Sequence, residues 1–183
     1  ISVDDEAAVV RFLDEAAIRA KKSLLALVDV QDAAMLLCAY QFAMRPIQIA
    51  MLTFRDVKVR REDVGMLASV HITFRMAKQR SSSAAKPLLR RVKREWTPLF
   101  VEIDRHFQAS GDDAGARVFG ATSANEASRR ISSLLRDLLE LGATAVNLRH
   151  TAAQRLVDAG ASQEELAEFL GHSDVTTALV YYE

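Results

Sequence analysis

Cysteine, proline and glycine are all scarce in this sequence of 183 residues, which contains 1, 3 and 7 copies of them. The single cysteine, Cys38 in the segment LLCAYQF, excludes an internal disulfide and predicts a buried apolar side chain in a reducing compartment. Few helix-breaking residues, with half of the chain hydrophobic, favour a mostly helical globule. No apolar run approaches the roughly 18 residues that a membrane-spanning helix needs, so no membrane partner is expected.

A net charge is also lacking, because 24 basic residues balance 24 acidic ones. Neutrality alone argues against indiscriminate binding to polyanions, but the charges are segregated along the chain. The segment from Arg75 to Arg94 has no acidic residue and can present a positive face to nucleic acid. A solvated, charged hairpin is the alternative interpretation. The basic residues of this segment are Arg75, Lys78, Arg80, Lys86, Arg90, Arg91, Lys93 and Arg94.

Capping and turn signals predict a mainly α fold with a small antiparallel β-sheet (α+β). Ser2, Ser123 and Ser162 are each followed three residues later by an acidic residue, as at helix starts, and Pro46 suits a first helical position. Asp29 or Asp32 is expected to cap a core helix. The predicted helices are residues 2–22, 31–43, 46–52, 97–108, 123–141, 149–160 and 162–170, and the predicted strands are 57–60, 68–75 and 87–92.

The end of the chain contains three polar landmarks on short helices. Arg149 opens an amphipathic helix that Gly160 ends, and Gly171 ends the helix that follows. His172 then lies on a tight turn, and Tyr181 lies on a terminal helix. Turns and helix starts can present polar groups to a shared anion. The plainer alternative is three short helices packed on a core, with His172 as a cap and Tyr181 half-buried.

These landmarks resemble the C-terminal signature of the tyrosine recombinases (phage integrase family), which is His-x-x-Arg-His, then Leu-Gly-His, then the nucleophilic tyrosine. Arg149 and His150 match the first element, His172 ends the second, and Tyr181 follows nine residues later. Val146 stands where the family usually has histidine or lysine. The resemblance extends over residues 29–183.

Two further segments support the resemblance. AMRPIQIAMLTFRDV is similar to the family's first arginine box, with Arg45 at the catalytic position and Gln48 in place of the usual acidic residue. The family carries its catalytic lysine on a β-hairpin, and Lys78 in Ala-Lys-Gln-Arg matches that place. Lys86 on the return strand is the alternative.

The resemblance implies a site-specific DNA recombinase or integrase that needs neither metal nor cofactor. Arg45 and Arg149 would bind the phosphate oxygens, since guanidinium groups are permanently charged bidentate donors. Lys78 would protonate the leaving 5′-oxygen, and His172 would hydrogen-bond the phosphate. Tyr181 would attack the phosphate and form a 3′-phosphotyrosyl link.

Other polar residues receive supporting or structural roles. His150 is expected to support the site, whereas His71 and His106 are expected to be structural. Asp112 and Asp113, in a glycine-containing loop, are interpreted as turn residues rather than metal ligands. Double-stranded DNA is the expected partner, and its predicted contacts are Arg75, Arg80, Lys86, Arg90, Arg91, Lys93 and Arg94.

The resemblance also implies an organisation for the whole protein. Residues 1–183 are expected to form one catalytic domain, without the family's N-terminal core-binding domain and C-terminal tail. The full-length protein is then expected to act as a homotetramer on DNA in the bacterial cytoplasm, at the nucleoid, and this fragment to be a monomer. Two alternatives remain open: a DNA-binding regulator that has lost catalysis, for which Val146 is the main support, and a type IB topoisomerase.

Overall fold

The computed structural model describes residues 1–75, 87–121 and 123–171. In this part of the chain it is mainly helical with one small antiparallel sheet, so the predicted fold class is confirmed. No helix in the described ranges is long and apolar enough to cross a membrane. The helices are α1 Val3–Lys21, α2 Leu27–Phe42, α3 Pro46–Ala50, α4 Thr97–Ser110, α5 Ala124–Leu138, α6 Ala145–Asp158 and α7 Gln163–Leu170, and the strands are β1 Val57–Arg60, β2 Ser69–Phe74 and β3 Leu88–Arg91.

Three helix starts are capped as the sequence predicts. The hydroxyls of Ser2, Ser123 and Ser162 each accept a hydrogen bond from the backbone N–H three residues later, at 3.1 Å. Each hydroxyl satisfies one of the N–H groups that a helix leaves unpaired in its first turn. Helices α1, α5 and α7 therefore begin where the local sequence directs.

Two predicted helix starts are wrong. α2 begins at Leu27 instead of residue 31, after Ala26, which supplies no side-chain cap. Asp32 lies inside α2 and not at its start, and its carboxylate accepts a hydrogen bond from Nε of Arg130 on α5 at 2.7 Å. α6 begins at Ala145 instead of Arg149, because Asn147 Oδ1 accepts a hydrogen bond from the N–H of Thr144 at 2.9 Å.

The largest difference between a predicted and an observed helix end is at α5. α5 ends at Leu138, three residues before the predicted end at Leu141. Leu139 has an extended backbone and is buried, whereas Leu141 is almost fully exposed. The helix therefore ends early, and the extended backbone at Leu139 turns this apolar side chain into the core.

α2 lies at the centre of the core. It contacts α1, α4, α5 and α6, and it is apolar around most of its circumference, as expected for a helix with neighbours on several sides. Cys38 lies in its interior, fully buried as predicted, and burial raises the pKa of its thiol. A second, smaller cluster joins α6 to α7 and is formed by Ala43, Ala152, Ala153, Leu166, Ala167 and Leu170.

The three strands pair in the order β1-β2-β3, all antiparallel. Val70, Ile72 and Phe74 of β2 point into the core, as the alternation of a half-buried strand requires. On the opposite side of the sheet, Lys58 pairs with His71, and His71 pairs with Arg91. One transverse row of basic residues therefore crosses all three strands on the outer face.

α6 is fixed to α1 and α2 by a polar cluster around Arg155. Its guanidinium donates to Glu6 Oε1 at 2.9 Å and to the carbonyl of Tyr40 at 2.8 Å, and it stacks 4.4 Å from the centre of the Tyr40 ring. The Tyr40 hydroxyl also donates to Glu6, and burial raises the pKa of Tyr40 to about 12. Tyr40 therefore helps to hold α1, α2 and α6 together.

Candidate nucleic-acid interface

Arg149 joins two separate segments of the fold from its position in the second turn of α6. Its Nη1 donates to the carbonyl of Ala43 at 2.6 Å, and its Nη2 donates to the carbonyl of Leu170 at 2.9 Å. Only 8% of the residue is exposed. Charge-assisted hydrogen bonds at these distances are strong, so the guanidinium holds the end of α2 and the end of α7 in a fixed relation.

The first segment leads directly to Arg45. Ala43 ends α2 in the left-handed region, with φ 57°, and this turns the chain so that α3 can begin at Pro46. Arg45 is the residue before that helix, as predicted, and it is exposed. Arg149 is therefore bonded to the backbone two residues before Arg45.

The second segment leads to the Leu-Gly-His motif. Gly171 ends α7 with φ 75°, a conformation that favours glycine, and Arg149 holds the carbonyl of the preceding Leu170. The predicted site residues His172 and Tyr181 lie outside the described residues. The structure thus places Arg149 against two backbone segments, the one that leads to Arg45 and the one that ends at Leu170.

Gln48 links the segment at Arg45 to the sheet. Its Oε1 accepts a hydrogen bond from the N–H of Arg45 at 3.0 Å, and its Nε2 donates to the carbonyl of Arg75 at 3.3 Å. Arg75 directly follows β2, so the buried Gln48 amide fixes the point where the chain leaves the sheet. Lys78 lies three residues farther on, and both it and the alternative Lys86 fall outside the described residues.

The first turn of α6 carries the residue in which this chain departs from the family pattern. Val146 is 56% exposed and lies one helical turn before Arg149. His150, which follows Arg149 in the chain, is also exposed. A longer polar side chain at residue 146 would therefore have room on the surface beside Arg149.

The predicted DNA-contacting residues differ in their exposure. Arg75, Arg91, Lys93 and Arg94 are exposed, and Lys93 lies 4.7 Å from the Trp96 ring centre. Arg90 instead turns inward, with 12% of its side chain exposed. Arg80 and Lys86 lie outside the described residues, and DNA contact by any member of the set remains a prediction.

Two basic residues of β1 were not among the predicted contacts. Lys58 and Arg60 are exposed on the same outer sheet face as Arg91, across the row through His71. The alternation Val-Lys-Val-Arg in β1 was the signal, because it places both charges on the solvent side of a half-buried strand. The outer face of the sheet therefore carries positive charges from β1 as well as from the basic segment.

Asp113, interpreted as a turn residue, fits that role. Asp113 Oδ1 accepts a hydrogen bond from the N–H of Gly115 at 2.7 Å, closing a local turn. His106 lies 3.4 Å from the Glu102 carboxylate on α4, and His71 lies in the middle strand. Over the described ranges, no group of three or more His, Cys, Asp or Glu side chains could hold a metal ion.

The fold is that of the catalytic domain of tyrosine recombinases. The XerA recombinase structure aligns with a TM-score of 0.65 and 19% identity, over 99% of this chain and 58% of that one. The Tn1549 transposon integrase in complex with transposon right end DNA gives 0.60 and 16%, over 100% and 60%. The XerH site-specific recombinase bound to difH substrate gives 0.64 and 14%, over 92% and 48%.

Residues 8–183 match the phage integrase family, and the chain belongs to that family. A comparison with curated proteins found no match. The chain spans between 48% and 60% of the length of the three solved structures it resembles.

Proposed function

We propose that this chain is the catalytic part of a site-specific DNA recombinase that breaks and rejoins strands through a 3′-phosphotyrosyl intermediate. The observation that carries the proposal is the position of Arg149, which bonds the backbone two residues before Arg45 and two residues before His172. A group that fixes both segments can place two further phosphate ligands around one point. Such positioning is what phosphodiester cleavage requires of a protein.

The charge in the site would stabilise the phosphate as it becomes five-coordinate. Arg45 is exposed, and so can reach a DNA backbone, while Arg149 sits in a less hydrated place where its charge acts more strongly. Arg149 already donates to the carbonyls of Ala43 and Leu170, and its permanent charge would add to that of Arg45 at the phosphate. Arg149 would thus serve the fold and the transition state together.

The remaining steps are assigned by the family pattern. Tyr181 would attack phosphorus and form a bond to the 3′-phosphate as the bond to the 5′-oxygen breaks, and its phenolic proton would pass to water, since Val146 cannot accept it. Lys78 would give a proton to that oxygen, and His172 would donate a hydrogen bond to the phosphate. The link conserves bond energy, so a 5′-hydroxyl of another strand can reverse the step without an external energy source.

Partners and location follow from this proposal. Double-stranded DNA would bind across the exposed arginines, with the full-length protein assembling as a tetramer on it. The protein would then work in the bacterial cytoplasm, at the nucleoid.

Adduct trapping tests the proposal. The protein is incubated with a pool of nicked duplexes of random sequence, and complexes that survive denaturing electrophoresis are counted. We expect an adduct with wild type and with Tyr182→Phe, and none with Tyr181→Phe, because adjacent residues on a helix point about 100° apart. An adduct that survives Tyr181→Phe but not Tyr182→Phe would reverse the assignment.

A DNA-binding regulator that has lost catalysis is the second candidate, and the exposed Val146 favours it. Valine has neither a donor nor an acceptor, so residue 146 cannot manage a proton as histidine or lysine would. Specific DNA binding without any adduct, for both wild type and Val146→His, is the result expected of a regulator. Relaxation of supercoiled DNA without sequence preference would instead indicate a type IB topoisomerase.

A further inference from the structure

Arg90 makes contacts unlike those of the other cations in the basic segment. From β3 its Nη2 donates to the carbonyl of Phe169 at 3.0 Å and to that of Glu168 at 3.3 Å. The guanidinium lies 5.4 Å from the centre of the Phe169 ring, and Nη1 is 3.5 Å from the Glu168 carboxylate. All of these contacts are to the last turn of α7.

Arg90 and Arg149 together cover the C-terminal end of α7. The carbonyls of three consecutive residues, Glu168, Phe169 and Leu170, each accept a hydrogen bond from one of these arginines. The last carbonyls of a helix have no partner within the helix, and they carry the negative end of its dipole. Two guanidinium groups, one from the sheet and one from α6, therefore fix the place and direction in which the chain leaves α7.

From this arrangement we infer that Arg90 is a positioning residue of the recombinase site and not a contact to DNA. The inference rests on the proposed function, because the Leu-Gly-His motif begins at the carbonyl next to the two that Arg90 holds. Arg90 also ties the end of α7, where that motif begins, to β3. A shift of α7 relative to β3 would move the Leu170 carbonyl away from Arg149.

Arg91 provides a matched control. It is the next residue on β3 and has the same charge, but it points to the outer face, opposite His71, and is exposed. Loss of either arginine removes one positive charge from the same strand. Only loss of Arg90 removes hydrogen bonds to α7.

The first two measurements do not depend on catalysis. The affinity for a non-specific 30-base-pair duplex is measured against salt concentration for wild type, Arg90→Ala and Arg91→Ala, and amide hydrogen exchange is followed in α7. We expect Arg90→Ala to leave the slope of log affinity against log salt unchanged, where loss of a phosphate contact would reduce it by about 0.9. We also expect Arg90→Ala to speed amide hydrogen exchange at the end of α7. Arg91→Ala should leave that exchange rate as in wild type.

The third measurement is the single-turnover rate of adduct formation at saturating DNA. Misplacement by about 1 Å can cost up to about 10²-fold in rate, so Arg90→Ala should be slower by 10-fold or more at unchanged affinity. Arg90→Lys keeps the charge near the helix end without the planar fork, and should recover part of the rate. This variant separates positioning from a general loss of folding.

A reduced salt slope for Arg90→Ala, or unchanged exchange in α7, would overturn the inference. A wild-type adduct rate that Arg90→Ala leaves unaltered would do the same. If wild type forms no adduct at all, the proposed function fails, while the salt and exchange measurements still decide whether Arg90 holds α7.

Discussion

Replacement of Arg149 by alanine should destabilise the fold as well as abolish DNA cleavage, whereas replacement of Arg45 should abolish cleavage alone. Both arginines are assigned to the phosphate, but the structure treats them differently. Arg149 is buried and donates to two backbone carbonyls, and Arg45 is exposed before α3. Activity measurements alone cannot separate these two kinds of arginine.

The expected magnitude follows from the two hydrogen bonds of Arg149. A hydrogen bond to a charged group contributes about 1.5–3 kcal/mol, so loss of both should lower the free energy of unfolding by about 3–6 kcal/mol. In a chain of this size each kcal/mol changes Tm by about 2–4 °C, so Arg149→Ala should melt about 6–24 °C below wild type. Arg45→Ala should stay within about 0.5 kcal/mol, as exposed substitutions usually do.

Thermal unfolding followed by circular dichroism, together with urea titration, measures both variants against wild type. Arg149→Lys serves as a control that keeps the charge but cannot span two carbonyls with a planar fork, and it should fall between wild type and alanine. If Arg149→Ala melts within about 2 °C of Arg45→Ala, the bonds to Ala43 and Leu170 do not hold the fold as described.

Further outcomes are expected for other perturbations. Val146→His should raise the single-turnover cleavage rate, by up to about 10²-fold, because an acid–base group beside Arg149 would be restored; an unchanged rate would assign proton transfer elsewhere. Hydrogen bonds from Arg105 and Ser23 outweigh the effect of burial and lower the pKa of Glu102 below its ordinary value of 4.5. The Glu102 carboxylate should therefore stabilise the fold above pH 4.5, and this stabilisation should be lost as the pH falls through the lowered pKa. Urea titration of Glu102→Gln should thus show a deficit at pH 7 that shrinks on acidification, and a deficit independent of pH would contradict this. The fragment should sediment as a monomer, and a stable tetramer without DNA would count against that expectation.

Local sequence signals were enough for the elements whose stability is local. The serine caps of α1, α5 and α7 predict their starts, because each cap bonds within its own first turn. The start of α2 was predicted too late because Ala26 offers no side-chain cap by which the sequence could mark it. The Thr144–Asn147 pair that starts α6 was missed, since asparagine is less typical than glutamate in such a box.

The arrangement around Arg149 depends on contacts that no local pattern encodes. The sequence motif identified the residue, but its hydrogen-bond partner Ala43 lies 106 residues earlier in the chain. Nothing in a motif indicates that the same guanidinium would be buried and would hold two turns. The separation of Arg90 from Arg91, in contrast, follows from strand alternation. A count of charges along the segment does not show that these two side chains point to opposite faces of the strand.

The central claim is tested most directly by mass spectrometry of the protein–DNA adduct trapped on a nicked duplex. We expect the modified peptide to carry the nucleotide on Tyr181 through a 3′-phosphate, with a free 5′-hydroxyl on the released strand. A nucleotide joined through a 5′-phosphate, or carried on a residue other than Tyr181, would contradict the proposed chemistry.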